Sequence, residues 1–307
     1  MNIAQFGKRI VLFVAVNILV MLTITVILGL LRAGNYFPEG GLAGLAVLCL
    51  VWGFAGALIS LALSRLMAKW MMGVKVIPPD TTDPALRELV STVHGLARAA
   101  QLPQLPEVGI YQSDEVNAFA TGPTRSRSLV AVSTGLLQRM GSREVEGVLG
   151  HEVTHIANGD MVTMTLIQGV INAFVMFLAR VLAFVISQAM RSRDDRDNGG
   201  GMLQFLLVFL FQIVFSILGS LVVCWFSRQR EFRADAGGAR LAGRENMINA
   251  LRALRQLHDP EAAVAEAQEH QAFQALKISG VRGGLFALFA THPPIEERIA
   301  RLEQGSI

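Results

Sequence analysis

Cysteine is almost missing from this chain of 307 residues, which has only Cys49 and Cys224, both inside apolar runs. A disulfide framework and a cysteine-rich structural zinc site are therefore excluded by number. Tyrosine is equally rare, since Tyr36 and Tyr111 are the only two. The sequence also lacks any cluster of basic and aromatic residues typical of a nucleic-acid surface, and we expect no nucleic-acid partner.

Charged residues are scarce as well. They make up 17% of the chain, whereas hydrophobic residues make up 52% and the mean hydropathy is +0.46. A soluble domain of this length is normally more polar, so the composition indicates an integral membrane protein. The net charge of +3 and the isoelectric point near 9.2 suit contact with an anionic lipid leaflet.

Four long apolar segments predict membrane spans: residues 10–31, 41–64 and 201–227 carry no charge, and residues 161–190 carry one, Arg180. At about 1.5 Å per helical residue, each can cross a hydrocarbon core of roughly 30 Å. We therefore predict two transmembrane hairpins. For residues 161–227, a buried helical hairpin within a soluble domain is the alternative.

The basic residues predict the orientation of the first hairpin. They flank its outer ends but are absent from its loop, residues 33–40; the flanking residues are Lys8, Arg9, Arg65, Lys69 and Lys75. Because short loops rich in Lys and Arg stay in the cytoplasm, both ends of this hairpin are expected there.

One pentapeptide, His151-Glu152-Val153-Thr154-His155, has the spacing of a zinc hydrolase site. On a helix it places two imidazoles one turn apart with a carboxylate between them. Ser142 is a candidate N-cap, Gly159 a candidate stop, and apolar residues recur between them at helical spacing. Asp160 is predicted to cap this helix rather than to bind a metal.

A catalytic zinc ion needs a third protein ligand. The best candidate is Glu231, with Asp235 one helical turn beyond it. We expect Glu231 to bind the metal and Asp235 to accept the free ring N–H of a ligand histidine. A solvated charged helix is the alternative interpretation of this pair.

Four motifs in order resemble peptidase family M48: residues 117–122 (NAFATG), 150–155 (GHEVTH), 230–235 (REFRAD) and 291–294 (THPP). The resemblance implies one zinc ion per chain held by His151, His155 and Glu231, with Glu152 as the general base. It also implies a zinc endopeptidase with a gluzincin-type catalytic domain in the bacterial cytoplasmic membrane. Misfolded or damaged membrane proteins are the substrates it implies, with a stress-linked role.

Two further assignments complete the predicted site. Asn117, Ala118 and Phe119 are expected to form an edge strand that pairs with an extended substrate backbone, although an ordinary core strand fits the residue types equally well. His292 is the predicted donor to the transition-state oxyanion, since neither tyrosine lies near a catalytic motif. A helix-entry histidine before Pro293 is the alternative.

The predicted fold class is a mostly helical α+β integral membrane protein with four spans and a cytoplasmic catalytic domain that contains a small antiparallel sheet. The predicted domains are residues 1–65 (first hairpin), 66–160 (catalytic, first part), 161–227 (second hairpin) and 228–307 (catalytic, second part). The predicted strands are 108–111, 116–120 and 129–133, and the predicted carboxyl-terminal helices are 228–242, 245–258, 262–277 and 294–304.

Two other functions remain open at this point. An intramembrane-cleaving protease is disfavoured, because charged residues such as Arg143 and Glu146 surround the pentapeptide. The chain could instead be a non-enzymatic receptor or transporter subunit, in which the pentapeptide occurs by chance. The expected partners are unfolded membrane proteins and the lipid bilayer.

Overall fold

A computed structural model describes residues 37–78, 80–190, 199–258 and 289–305. The described helices are α1 (Phe37–Met71), α2 (Pro84–Ala99), α3 (Thr134–Arg139), α4 (Ser142–Asn158), α5 (Asp160–Met190), α6 (Gly199–Ala242), α7 (Arg244–His258) and α8 (Ile295–Glu303). The described strands are β1 (Lys75–Val76), β2 (Glu107–Tyr111), β3 (Ala118–Thr124) and β4 (Arg127–Ser133). The fold is mostly helical with one small mixed sheet.

Within the described part of the chain, three helices are long and apolar enough to cross a membrane: Gly41–Met71, Asp160–Met190 and Met202–Ala242. Three of the predicted spans lie in these helices. The predicted span 10–31, the break at 191–198 and the predicted helix 262–277 lie outside the described residues.

Helix α6 differs from the prediction of a separate helix at 228–242. It runs without a break from the apolar segment through Ser227 to Ala242. No proline or glycine interrupts residues 220–236, so the helical backbone continues where the composition changes from apolar to charged. The residues of the third motif are therefore on the same helix as the apolar segment.

The described residues up to Gly56 and Gly169–Gly219 form one compact unit. Its helices α1 and α5 approach closely at small residues, because a Cβ on Gly53 would lie 2.6 Å from the backbone nitrogen of Ala173. Leu45, Cys49 and Met176 form a buried apolar cluster there. Small residues at such contacts are typical of helices that associate in lipid.

The second unit comprises Ala57–Gln168 and the described residues from Ser220 onward. Its sheet has the strand order β1-β2-β4-β3 within the described residues. Strand β4 pairs antiparallel with β3 but parallel with β2, so the prediction of an antiparallel sheet is wrong in this respect. The tight β3–β4 hairpin inserts β4 beside β2, and β3 is left at the edge.

Helix α4 lies against this sheet and against α2 and α7. Its apolar face (Val148, Leu149, Val153, Ile156) packs with Val93 of α2 and with Val130 and Val132 of β4, and the whole cluster is buried. The face that carries the two histidines therefore has a rigid support on the opposite side.

A second, smaller cluster holds the short helix α8. Ile299 and Leu302 pack against Met247 and Leu251 of α7. On the surface, the guanidinium carbon of Arg301 lies 3.6 Å from the ring centroid of Phe232 on α6, a cation–π contact. Helix α8 is thus fixed against both α6 and α7.

Candidate active site

Glycines flank α4, the helix that carries the pentapeptide, at both ends. Gly141 is the N-cap, one residue before the predicted Ser142, and its N–H donates to Oε2 of Glu144 at 2.8 Å. At the other end, Gly159 has a φ of 68°, a left-handed conformation that glycine adopts without steric cost. The pentapeptide therefore lies entirely within one regular helix.

Helix α6 approaches α4 closely because glycine faces the pentapeptide. A Cβ on Gly237 would clash with the side chain of Thr154, with Oγ1 only 2.6 Å away. A Cβ on Gly238 would lie 3.0 Å from the backbone nitrogen of His151. Only residues without a side chain permit this distance, which brings Glu231 to the histidines.

His151, His155 and Glu231 converge on one point. Their ligand atoms all lie within 4.8 Å of one another, and all three residues are buried. The two Nε2 atoms are 3.1 Å apart, and each lies 3.4 Å from one oxygen of Glu231. Two imidazole nitrogens and one carboxylate are the donor set of catalytic zinc sites, so these residues fit a zinc ion.

The other ring nitrogen of each histidine meets a buried carboxylate. Nδ1 of His151 lies 2.9 Å from Oδ1 of Asp235, and Nδ1 of His155 lies 2.7 Å from Oδ2 of Asp160. Asp160 is therefore not the predicted helix cap: it is the first residue of α5 and holds the second histidine. Such hydrogen bonds leave both Nε2 atoms directed at the shared point.

The carboxylates give this point a strongly negative electrostatic potential. Burial opposes the charged form of His151, but hydrogen bonds to Asp235 and Glu231 outweigh it and raise the pKa to about 9. Burial likewise opposes the charged form of His155, yet Asp160 and Glu231 raise its pKa above the usual value. The site favours a cation, and a divalent metal ion satisfies the same carboxylates.

The side chain of Glu152 reaches from α4, the helix that carries the pentapeptide, to the edge strand β3. Its Oε2 accepts a hydrogen bond of 2.8 Å from the backbone N–H of Ala120 on β3. The N–H of Ala120 is therefore directed at Glu152 and not at Val130, which lies opposite Ala120 on β4.

The predicted substrate-binding residues separate into two groups. Asn117 and Ala118 line a cleft of about 320 Å³ beside the histidines, together with Glu152, Glu231 and His292. Phe119 instead packs against Tyr111, with ring centroids 5.7 Å apart, on the other face of the sheet. Further along, the cleft has an apolar wall formed by Leu136, Val148, Ala250, Leu251 and Leu254.

His292 contacts the third ligand candidate. Its Nδ1 lies 2.8 Å from Oε2 of Glu231, while 62% of its side chain is exposed in the cleft. The segment before it is tied to α6, since Arg228 donates to the carbonyl of Ala290 at 2.9 Å. The ring of His292 is thus held beside the point where the three candidate ligands converge, with Nδ1 bonded to Glu231.

Arg298 is a site residue that sequence reasoning missed. Its guanidinium forms two hydrogen bonds with Asp235, at 2.7 and 2.6 Å, directly behind His151. One signal was available: Arg298 falls with Ile295, Ile299 and Leu302 on the apolar face of α8, where an arginine is unexpected.

The profile of peptidase family M48 matches residues 85–306 of the chain. A protein of Bacillus subtilis (strain 168) named Protease HtpX homolog is 51% identical over 306 residues, which cover 97% of this chain and 99% of that protein. Protease HtpX of Idiomarina loihiensis is 48% identical over 299 residues, which cover 97% and 99%.

The crystal structure of S. mikatae Ste24p is similar in fold, with a TM-score of 0.61 at 17% sequence identity. The alignment covers 98% of this chain, which spans 65% of the length of that protein. At this level of identity the likeness concerns the fold alone.

Proposed function

Since the chain belongs to peptidase family M48 and is a membrane zinc metallopeptidase, we propose that it is an endopeptidase that cleaves misfolded or damaged membrane proteins on the cytoplasmic side of a bacterial inner membrane. In this proposal His151, His155 and Glu231 are the zinc ligands and Glu152 is the general base. Asp235 orients the ring of His151, and His292 donates to the transition-state oxyanion.

One observation carries this proposal. The candidate ligands come from two helices, and His155 and Glu231 are 76 residues apart in the chain, yet the ligand atoms lie within 4.8 Å of one another. Next to these ligands lies a glutamate outside the ligand set, Glu152, beside an edge strand and a cleft. If the pentapeptide occurred by chance, a third ligand residue and a cleft would not be expected beside it.

Bound zinc supplies a Lewis acid that polarises the scissile carbonyl and acidifies a water molecule. The carboxylate of Glu152 takes the water proton, and its hydrogen bond from Ala120 keeps it oriented towards the cleft. It then returns this proton to the leaving amine. Nδ1 of His292 donates to the carboxylate of Glu231, and in the imidazolium form of the ring Nε2 also carries a proton that it can donate to the developing oxyanion.

The edge strand β3 supports a preference for unfolded substrates. An extended peptide adds to such an edge through backbone hydrogen bonds, which accept many sequences. A folded protein cannot present a free strand of this kind, whereas a damaged membrane protein can. The apolar wall of the cleft suits the hydrophobic side chains that such segments carry.

Topology follows from the shared metal. If one ion joins α4 to Glu231, both lie on the same side of the bilayer, so residues 161–227 cross it an even number of times. Two crossings fit the lengths of α5 and α6. In this proposal residues 66–160 and 228–307 form one catalytic domain, interrupted by the second of two transmembrane hairpins.

The proposal is tested with the full-length protein, purified in detergent with a chelator and then given zinc. The substrate is one protein offered in two forms, native and reduced with blocked thiols. We expect zinc-dependent cleavage of the unfolded form at internal bonds, with the native form intact. Equal cleavage of both forms would contradict the substrate class, and release of terminal residues only would contradict endopeptidase activity.

The cytoplasmic orientation and the quality-control role need separate experiments. In inverted membrane vesicles the catalytic domain faces outward, so an added unfolded protein should be cleaved there and not by right-side-out vesicles. In a strain without this protease, a misfolded membrane protein should accumulate under stress and be cleared again by the wild-type chain. Cleavage by right-side-out vesicles alone would overturn the proposed orientation.

A further inference from the structure

A buried guanidinium lies behind the metal ligand His151. Only 8% of Arg298 and 2% of Asp235 are exposed. Nε of Arg298 donates to Oδ2 of Asp235 at 2.7 Å, and Nη2 donates to Oδ1 at 2.6 Å. The two groups form a bidentate pair, the geometry in which a guanidinium fork fixes the plane of a carboxylate.

The fixed carboxylate faces the histidine. Oδ1 of Asp235, which accepts from Nη2 of Arg298, also lies 2.9 Å from Nδ1 of His151. Nη2 itself is 3.5 Å from the same ring nitrogen, too far for a good hydrogen bond but close enough to confine the ring. A chain of contacts thus runs from Arg298 through Asp235 to the ligand.

Both carboxylate oxygens of Asp235 are engaged in this arrangement. The guanidinium therefore fixes the carboxylate in the orientation in which Oδ1 meets Nδ1 of His151. A lysine, with one compact charge, has no second donor in the plane needed for this.

The packing of α8 fixes the position of Arg298. Ile299 and Leu302 bury its apolar face against α7, and Arg252 of α7 pairs with Glu303 at its end at 2.7 Å. Arg301 packs on Phe232 of α6, one turn before Asp235. The backbone of residue 298 is therefore held against the helix that carries both carboxylates.

From this geometry we propose that Arg298 is a positioning residue of the metal site, which acts through Asp235 to orient His151. The inference rests on the proposed zinc ligands. Its consequence is a tighter and more regular metal site, measurable without any substrate.

The test is the zinc dissociation constant of the full-length protein, measured by competition with a chromophoric chelator. We expect Arg298→Met to weaken zinc binding by about 10- to 100-fold, the usual effect of losing such a supporting contact. Arg298→Lys should recover only part of the loss. The cobalt-substituted variants should also show altered visible absorption, because the ligand geometry changes.

Arg301→Met is the matched control, since it removes an arginine from the same helix that packs on α6 but does not contact Asp235. Because it loosens α8 without removing a contact to Asp235, it should weaken zinc binding much less than Arg298→Met. Equal losses in Arg298→Met and Arg301→Met would overturn the proposal, because Arg298 would then only anchor α8. Unchanged zinc binding by Arg298→Met would overturn it as well.

Arg298→Met leaves a buried carboxylate without its partner and can fail to fold. The double variant Asp235→Asn with Arg298→Met removes both charges and is compared with Asp235→Asn alone. Their zinc affinities should agree within about 3-fold if Arg298 acts through Asp235. A further 10-fold loss in the double variant would overturn the proposal. Failure of the wild-type chain to bind zinc would overturn the proposed function itself.

Discussion

The backbone N–H of Ala120 donates a hydrogen bond of 2.8 Å to Oε2 of Glu152. This contact joins the edge strand, where a substrate backbone is proposed to bind, to the carboxylate proposed as the general base. One oxygen of Glu152 is thereby fixed and the other remains to take a proton. Strand β3 therefore contacts both the proposed substrate backbone and the proposed general base.

Replacing Ala120 by proline tests this contact, because proline lacks the N–H. The N–H is not part of the β3–β4 pairing, so an edge strand tolerates the change. We expect kcat to fall about 10- to 100-fold with zinc content unchanged, since a misplaced base transfers protons poorly. Ala120→Ser keeps the N–H and should retain activity. A fully active Ala120→Pro enzyme would show that the hydrogen bond has no catalytic role.

Gly237→Ala should disrupt the metal site although residue 237 touches no ligand. The added Cβ clashes with Thr154 and forces α6 away from α4. Such overpacking typically costs about 1–3 kcal/mol, and here it also separates Glu231 from the histidines. Zinc content and the thermal unfolding midpoint should both fall, and Thr154→Ala should partly restore them.

Gly95 offers the matched control for this change, since it lies exposed on α2 with no atom within 4 Å of an added Cβ. Gly95→Ala should leave zinc binding intact and stabilise the protein slightly, because alanine favours the helix. A Gly237→Ala protein with normal zinc content would contradict the account of the close helix approach.

Asp160→Ala should weaken zinc binding by about 10- to 100-fold, because Nδ1 of His155 loses its acceptor and the ring is free to turn. The zinc dissociation constant measures this directly. Thr163→Ala alters the same first turn of α5 without touching a ligand, since its hydroxyl donates to the carbonyl of Gly159. If both variants lost zinc alike, the effect would come from the helix start and not from His155.

Glu107 gives a pH-dependent contribution to stability. Its partial burial favours the neutral form, but hydrogen bonds from Lys69 and Arg65 outweigh this and hold the pKa of Glu107 below its usual value. The contribution is therefore present in full above the usual pKa of about 4.3 and is lost as the pH falls through the lowered value.

Glu107→Gln should accordingly lower the thermal unfolding midpoint at about pH 7. The difference from wild type should shrink as the pH is lowered to about 3. Glu88→Gln, an exposed change on α2, serves as the control and should have little effect at either pH. A difference that persists unchanged in acid would mean that the carboxylate charge is not its origin.

Local features of the site could be predicted from spacing, whereas the expectation that Glu231 joins the histidines rests on the need for a third zinc ligand and on the resemblance to family M48. His151 and His155 share a helix, as do Glu231 and Asp235, so one turn of spacing sufficed to group each pair. The parallel pairing of β2 with β4 depends on contacts between distant segments, and no local pattern marks it. Arg298 is 63 residues from Asp235, and the donor at Ala120 is a backbone group common to nearly all residues. Neither can be recognised from spacing.

Glu152→Gln tests the central claim most directly, because it changes one carboxylate to an isosteric amide and leaves the proposed ligands in place. Zinc content and cleavage of an unfolded protein are measured on the same preparation. The account predicts one zinc ion per chain in both proteins and a loss of about 100-fold or more in kcat for the variant. Unchanged cleavage by the zinc-loaded variant would contradict the assignment of Glu152 as the general base.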